Sequence, residues 1–142
     1  MTGTALPERP IRAILDSSAI QSYGRGHVHV GEMITEIAVE RLRVGVPAVA
    51  LMDAYASFAG DPVARARLGI LAEIPPTVVL ALDRRDAEKA ATVAPFAGND
   101  LSLAHAAWAA LQHRALLVTT EPEKSISALP GEQILTVPTD DV

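Results

Sequence analysis

The chain has 142 residues, a formal net charge of −5 at pH 7 and no cysteine. This length suits one ordinary domain with a buried core, and the lack of cysteine excludes disulfides and thiolate metal sites. Proteins that bind nucleic acid through charge alone are usually basic, so the acidity argues against a simple DNA-binding module. It argues less against an enzyme whose carboxylates hold divalent cations, because a metal reverses the local field.

The N-terminal segment, MTGTALPERPIR, lacks the basic start and the apolar stretch of a secretory signal. No apolar run approaches the roughly 18 residues that cross a bilayer. We therefore expect a cytoplasmic protein with no membrane partner.

Strand-like and helix-like segments alternate, which predicts an α/β domain with a mostly parallel sheet. The strands are short apolar runs at 11–16, 44–51, 77–82, 115–120 and 133–138. Pro47 is expected to place the second strand near an edge or a strand start, and the third strand is expected to be buried. The final segment, TDDV, is predicted to be a frayed tail.

The helices are predicted from apolar stripes and from caps. A short helix begins at AIQSY and stops at GRG, and the next, from Val30 to Leu42, has an apolar stripe that includes Arg41. A helix from Met52 closes at Gly60, and another begins with Asp61 as cap and Pro62 in the first helical position. The last two cover 83–94 and about 100–113. With no repeat or linker, 1–142 is predicted to be one domain with its core at about 11–137.

Four acidic residues lie where predicted strands end or helices begin. Asp16 and Glu121 end strands, Asp53 lies just past the second strand, and Asp100 begins a helix. Because ligands bind at the carboxyl ends of the strands in an open parallel sheet, we expect these acids to meet at one edge. Each of them alone could be a cap, a first-turn acid or a loop residue, but their shared placement favours a site.

Clustered carboxylates resist ionising together unless something positive lies between them. Mg²⁺ and Mn²⁺ prefer oxygen ligands and keep several waters. Such an ion can activate a water and neutralise phosphodiester oxygens during in-line attack. The pattern therefore indicates hydrolysis of phosphate esters.

The motifs ILDSSAI, VGVPAVALMDAYA and GNDLSLAHAAWAALQHRALLVTTEPE, in this order, resemble the successive motifs of a PIN domain. This family of metal-dependent nucleases includes the VapC-type ribonuclease toxins of bacterial toxin–antitoxin pairs. The resemblance, over about 11–137, implies a three-layer sandwich with a parallel sheet of four or five strands between helices. It also implies a homodimer, dependence on Mg²⁺ or Mn²⁺, cleavage of single-stranded RNA, and a small antitoxin that inserts a side chain or a C-terminal segment into the acidic groove.

By position, the resemblance implies that the catalytic metal ligands are Asp16, Asp53, Asp100 and Glu121. It makes Ser18, in an acid-x-Ser motif, and Thr119, in a Thr-x-acid motif, supporting residues. The family usually has glutamate at the position of Asp53, and aspartate is commoner at that of Glu121. These exchanges keep the charge but shift the position of a bound metal by up to about the length of one methylene group.

Two other functions remain open from the sequence. A PIN-like module that has lost catalysis would serve as a binding partner, and the two altered acids allow this. A receiver-like signalling domain would use Asp53 as its phosphoacceptor. Against a receiver, Asp16 has no second acid beside it, and no lysine ends the strand at 115–120.

The remaining polar and aromatic residues have ordinary explanations. His27 and His29 lack a third convergent ligand, and His105, His113 and Trp108 are expected in packing or in solvent. Ser17 and Ser18 are not in a nucleophile elbow, so a serine hydrolase is disfavoured.

Two pairs of arginines could contact an RNA backbone. They are Arg65 with Arg67, and Arg84 with Arg85. Solvated helix faces are the default explanation for both pairs.

Overall fold

The computed structural model describes residues 8–139, and the end of the predicted tail, 140–142, lies outside this range. Five parallel strands form one sheet in the order β3-β2-β1-β4-β5. The strands are β1 (Ile11–Leu15), β2 (Arg43–Pro47), β3 (Thr77–Leu80), β4 (Leu116–Thr119) and β5 (Ile134–Thr136). The predicted α/β, PIN-like class, with a parallel sheet between helices, is confirmed.

In the part of the chain that the structure describes, six α-helices connect the strands. They are α1 (Ser17–Gly24), α2 (Val28–Val39), α3 (Ala48–Ser57), α4 (Pro62–Glu73), α5 (Arg84–Ala91) and α6 (Leu101–His113). Asp61 caps α4 through Ala64 N, and Pro62 opens the helix, as predicted. Within residues 8–139, no helix is long and apolar enough to cross a membrane.

Two apolar clusters fill the two faces of the sheet. Leu15 belongs to the cluster that also contains residues of α1, α2, α3 and α4, whereas its neighbour Ile14 belongs to the cluster dominated by α6. This division follows from the strand period of two, which sends successive side chains to opposite faces. The α6 cluster is rich in buried alanines, including Ala106, Ala107 and Ala110, so the helix lies close against the sheet.

The prediction for the second strand was wrong at its end. β2 stops at Pro47 and α3 begins at Ala48, so the apolar run AVAL is helical. A short apolar run has no periodicity that separates strand from helix. Pro47 lies neither on an edge nor at a strand start, because β2 is flanked by β1 and β3. It is instead the last strand residue and the N-cap of α3, where its φ of −63° fits.

Two further expectations were wrong. β3 is an edge strand in which Val79 is 41% exposed, not a buried strand. Edge and central strands have the same apolar composition, so order in the sheet could not be read from it. Arg41 does not continue the stripe of α2, because that helix ends at Val39 and Arg41 adopts a φ of 61°.

Candidate metal centre

A cavity of about 210 Å³ lies where β1 and β4 end, and all four predicted acids line it. Asp16 directly follows β1, Glu121 follows β4, and Asp100 precedes α6. Asp53 was expected in a first helical turn, but it is the sixth residue of α3, because the helix begins earlier than predicted. The structure thus brings together side chains from four separate parts of the chain.

The inner side of the cavity is built around Asp16, which is only 5% exposed. Its Oδ1 accepts hydrogen bonds from Ser18 Oγ at 2.6 Å and from Ala19 N at 2.9 Å. Its peptide N–H donates to the carbonyl of Val118 at 3.1 Å in the neighbouring strand. Asp16 is therefore both the N-cap of α1 and a fixed carboxylate of the cavity.

The two predicted supporting residues join the inner side to the end of β4. Ser18 Oγ accepts from Thr120 N at 2.9 Å and lies 3.2 Å from Thr119 Oγ1. Because the Ser18 hydrogen is used on Asp16, the hydroxyl of Thr119 is the donor in that contact. Thr119 Oγ1 also accepts from Glu121 N at 3.0 Å. These bonds fix where the chain turns toward Glu121.

The outer side is built around Asp100 and Asp53, which are both exposed. Asp100 Oδ1 accepts from Leu103 N at 3.1 Å as the N-cap of α6, and from Ser102 Oγ at 3.0 Å. Ser102 Oγ also lies 3.4 Å from Asp53 Oδ2, so this buried hydroxyl links the two acids. Sequence reasoning missed Ser102, although the acid-x-Ser spacing of Asp16 and Ser18 recurs at Asp100 and Ser102 and could have identified it.

The charges of the two sides are balanced differently. Burial raises the pKa of Asp16 above 3.8, while hydrogen bonds from Ser18 and Ala19 N and the nearby Thr119 hydroxyl oppose this rise, and the charge of Glu121 adds to it. On the outer side, Lys124 Nζ lies 2.7 Å from Glu121 Oε2. This bond and the charge of Glu121 raise the pKa of Lys124, and the charge of Asp100 contributes. Lys124 is thus the positively charged partner of Glu121 and is influenced by Asp100 on the outer side. Sequence reasoning missed this residue.

The donor atoms suit a hard divalent cation, since the acids and hydroxyls that line the cavity offer oxygen alone. Within residues 8–139, however, no three acidic or histidine side chains stand close enough together to hold a metal ion in their present positions. Glu121 is engaged with Lys124. To use Oε2 as a ligand atom, Glu121 must release that ammonium group.

The residues expected in packing lie away from this cavity. His105 is 1% exposed, and burial lowers its pKa below 6.5. Trp108 packs against the α6 cluster, as expected. Neither residue lines the acidic cavity.

The fold is found in solved toxin–antitoxin complexes. The chain is similar to a chain of a toxin–antitoxin complex from Klebsiella pneumoniae, with 13% identity, 92% of this chain and 99% of that chain covered, and a TM-score of 0.63. It is also similar to a chain of VapBC2 from Rickettsia felis bound to a promoter DNA fragment, with 11% identity, 90% and 98% covered, and a TM-score of 0.61. No protein-family model matches the sequence, and no curated protein matches it. At these identities the likeness establishes the fold.

Proposed function

We propose that the protein is a Mg²⁺- or Mn²⁺-dependent endoribonuclease, and that it is the cytoplasmic toxin of a toxin–antitoxin pair. The observation that carries the proposal is the meeting of Asp16, Asp53, Asp100 and Glu121 in one cavity at the end of the sheet. The fold, shared with chains of two toxin–antitoxin complexes, supports an antitoxin as partner. The homodimer remains a prediction from the resemblance.

In this function the four carboxylates hold the divalent ion. A bound ion of this kind supplies an activated water and neutralises charge on the phosphodiester. The protein's own task is to hold the ligands. Ser18 and Thr119 orient Asp16 through the bonds described above, and Ser102 orients Asp100 and Asp53. Preorganised donors and ligands of this kind do not have to reorganise during the reaction.

A second candidate is a binding module of the same fold that lacks catalysis. The observation that favours it is the Lys124–Glu121 ion pair, together with the absence of a ready set of three ligands within residues 8–139. The receiver-like alternative is weaker still, because its phosphoacceptor, Asp53, lies inside α3 rather than at the end of a strand.

The test is cleavage of a single-stranded RNA with Mn²⁺ and with EDTA, for wild type, Asp100→Asn and Asp83→Asn. Asp83 is a matched control, because it caps α5 through Asp86 N at 2.8 Å and does not line the cavity. Both substitutions remove one negative charge and keep a side chain that caps well. We expect Mn²⁺-dependent cleavage by wild type and Asp83→Asn, and a loss of about two orders of magnitude or more in Asp100→Asn.

Two results count against the proposal. Intact RNA after incubation of wild type with Mn²⁺ would reject the nuclease and favour the binding module. Equal cleavage by Asp100→Asn and Asp83→Asn would show that Asp100 serves as a helix cap alone.

A further inference from the structure

Three arginines contact residues of α1 and α3 or the end of α3, and one of the three lines the acidic cavity. This arginine cluster consists of Arg25, directly after α1, and of Arg65 and Arg67 in α4. Of the three, Arg25 lines the cavity that contains the four acids. Arg25 therefore places a positive charge at the edge of a cavity that is lined by four acidic residues.

Arg25 is held at the rim by neutral groups. Its Nη2 donates to Gln21 Oε1 at 3.3 Å, and its Cζ lies 5.8 Å from the centroid of the Phe58 ring. Gln21 in turn donates to Ser17 Oγ at 2.9 Å, and both of these residues line the cavity. Neutral groups therefore hold the guanidinium group at the cavity wall, and no ion pair within residues 8–139 neutralises its charge.

Arg67 and Arg65 are held in the same manner. Arg67 Nη1 donates to the carbonyl of Gly24 at 3.1 Å, and Arg65 Nη1 donates to the carbonyl of Tyr55 at 2.9 Å while its Cζ lies 4.9 Å from the Tyr55 ring. Gly26 has a φ of +89°, and a Cβ there would lie 3.0 Å from Arg67 Cζ. The turn after α1 therefore favours glycine for its backbone, and the end of the Arg67 side chain lies against it.

The arginines of the cluster have neutral partners, which distinguishes them from the basic residues that are ion-paired. Within residues 8–139, none of the three is paired with a carboxylate, whereas Arg43, Arg84 and Lys124 each form an ion pair. A guanidinium group has five N–H donors, so one carbonyl contact leaves most of them available. Arginine forks match the oxygens of a phosphate. In a chain of net charge −5, three arginines that are held by neutral groups indicate an anion site.

We infer that the arginine cluster binds the phosphodiester backbone of single-stranded RNA next to the cavity, with Arg25 as the residue nearest to the bond that is cleaved. The inference rests on the proposed function and specifies how substrate reaches that site. Of the two arginine pairs suggested by the sequence, it selects Arg65 and Arg67. Arg84 is paired with Glu88 at 3.3 Å on α5, which does not line the cavity.

The test is the fluorescence anisotropy of a labelled single-stranded RNA of about 12 nucleotides, with Ca²⁺ and with EDTA, at several salt concentrations. We expect Arg25→Ala and Arg67→Ala each to weaken binding about fivefold. Each should also make the negative slope of log affinity against log salt shallower by about 0.7. Arg84→Ala changes the net charge equally and should leave the affinity and the slope as in wild type. Arg25→Lys should retain the slope, because it keeps the charge.

Thermal melts separate a lost contact from a lost fold, and Arg67→Gln, which also removes the charge, replaces Arg67→Ala if the latter unfolds. Wild type that binds RNA, with Arg25→Ala and Arg67→Gln or Arg67→Ala matching Arg84→Ala, would overturn the inference while leaving the nuclease intact. If the cluster variants bind RNA more weakly but wild type cleaves no RNA, the RNA-binding role of the cluster is supported and the nuclease activity is rejected. A wild type that binds no RNA under either condition overturns both.

Discussion

Asp16 and Asp100 begin helices with the same local motif and yet lie in different surroundings. Each accepts from the backbone N–H three residues on and from the serine two residues on. Asp16 follows the central strand and is 5% exposed, whereas Asp100 follows the turn at Gly98 and Asn99 and is exposed. The acid-x-Ser motif therefore determines the cap geometry, and the place of the helix in the fold determines burial. The inner acid is shielded from solvent, whereas the outer acid is held by the same bonds and remains open to solvent.

The largest difference in stability should appear when the two serines are compared. Ser18→Ala leaves the N–H of Thr120 without its acceptor and removes the partner of the Thr119 hydroxyl. We expect a loss of about 2 kcal/mol in the free energy of unfolding, because Thr119 is fully buried and Ser18 and Thr120 are partly buried. Ser102→Ala should lose about 0.5 kcal/mol, since the carboxylates that it contacts belong to exposed residues. Urea unfolding of the metal-free variants measures both, and equal losses would contradict the distinction.

Metal binding tests whether both sides take part. At a tenfold excess of Mn²⁺ over its dissociation constant, wild type should gain about 1.4 kcal/mol of stability by mass action. Asp16→Asn and Asp100→Asn should each gain much less, whereas the capping control Asp83→Asn should gain as much as wild type. Thermal melts with and without Mn²⁺ give the comparison. A normal gain in Asp100→Asn alone would assign the metal to the inner side.

The Lys124–Glu121 pair predicts a smaller effect on the outer side. Lys124→Met releases Glu121 and removes a cation from the cavity wall, so the affinity for Mn²⁺ should rise by up to about fivefold, the value of an exposed ion pair of about 1 kcal/mol. Lys89→Met, an exposed lysine of α5, is the control with the same change in charge. Titration calorimetry measures both affinities. Weaker Mn²⁺ binding in Lys124→Met would mean that Lys124 holds Glu121 in place for the metal rather than competing with it.

The inner side should also show a trend with pH. Because burial raises the pKa of Asp16 above 3.8, the folded protein binds this proton more tightly than the unfolded chain. Its contribution to stability is full below that value and is lost as the pH rises through the raised pKa. The stability of metal-free Asp16→Asn relative to wild type should therefore increase as the pH rises between about 4 and 7. Unfolding curves across this range check the trend, and a constant difference or the reverse slope would contradict it.

The sequence predicted the fold class well, because alternating apolar runs and caps are local features. Asp61 with Pro62 and the strand ahead of Asp16 are examples. It failed where the outcome depends on distant partners. Nothing near Val79 shows that its strand lies on an edge, and AVAL became helical because β2 ends at Pro47.

The candidate site was predicted in part for the same reason. The four acids could be selected because each lies near the predicted end of a strand or start of a helix, and all four line the cavity. Ser102 and Lys124 were missed, since their importance comes from contacts with Asp53 and Glu121. The Lys124–Glu121 contact spans one helical turn, but a lysine three residues after a glutamate is too common to indicate a site.

The bonds of Ser18 to Thr119 and Thr120 join residues that are 101 and 102 positions apart. A ribosome makes Asp16 and Ser18 early, and their partners emerge only after more than a hundred further residues. Closing so long a loop is slow, because its entropy is lost before the contacts form. A nascent chain therefore carries Asp16 and Ser18 without the Thr119 and Thr120 groups that hold Ser18 in place. Whatever chemistry the cavity performs begins only when β4 has left the ribosome and paired with β1.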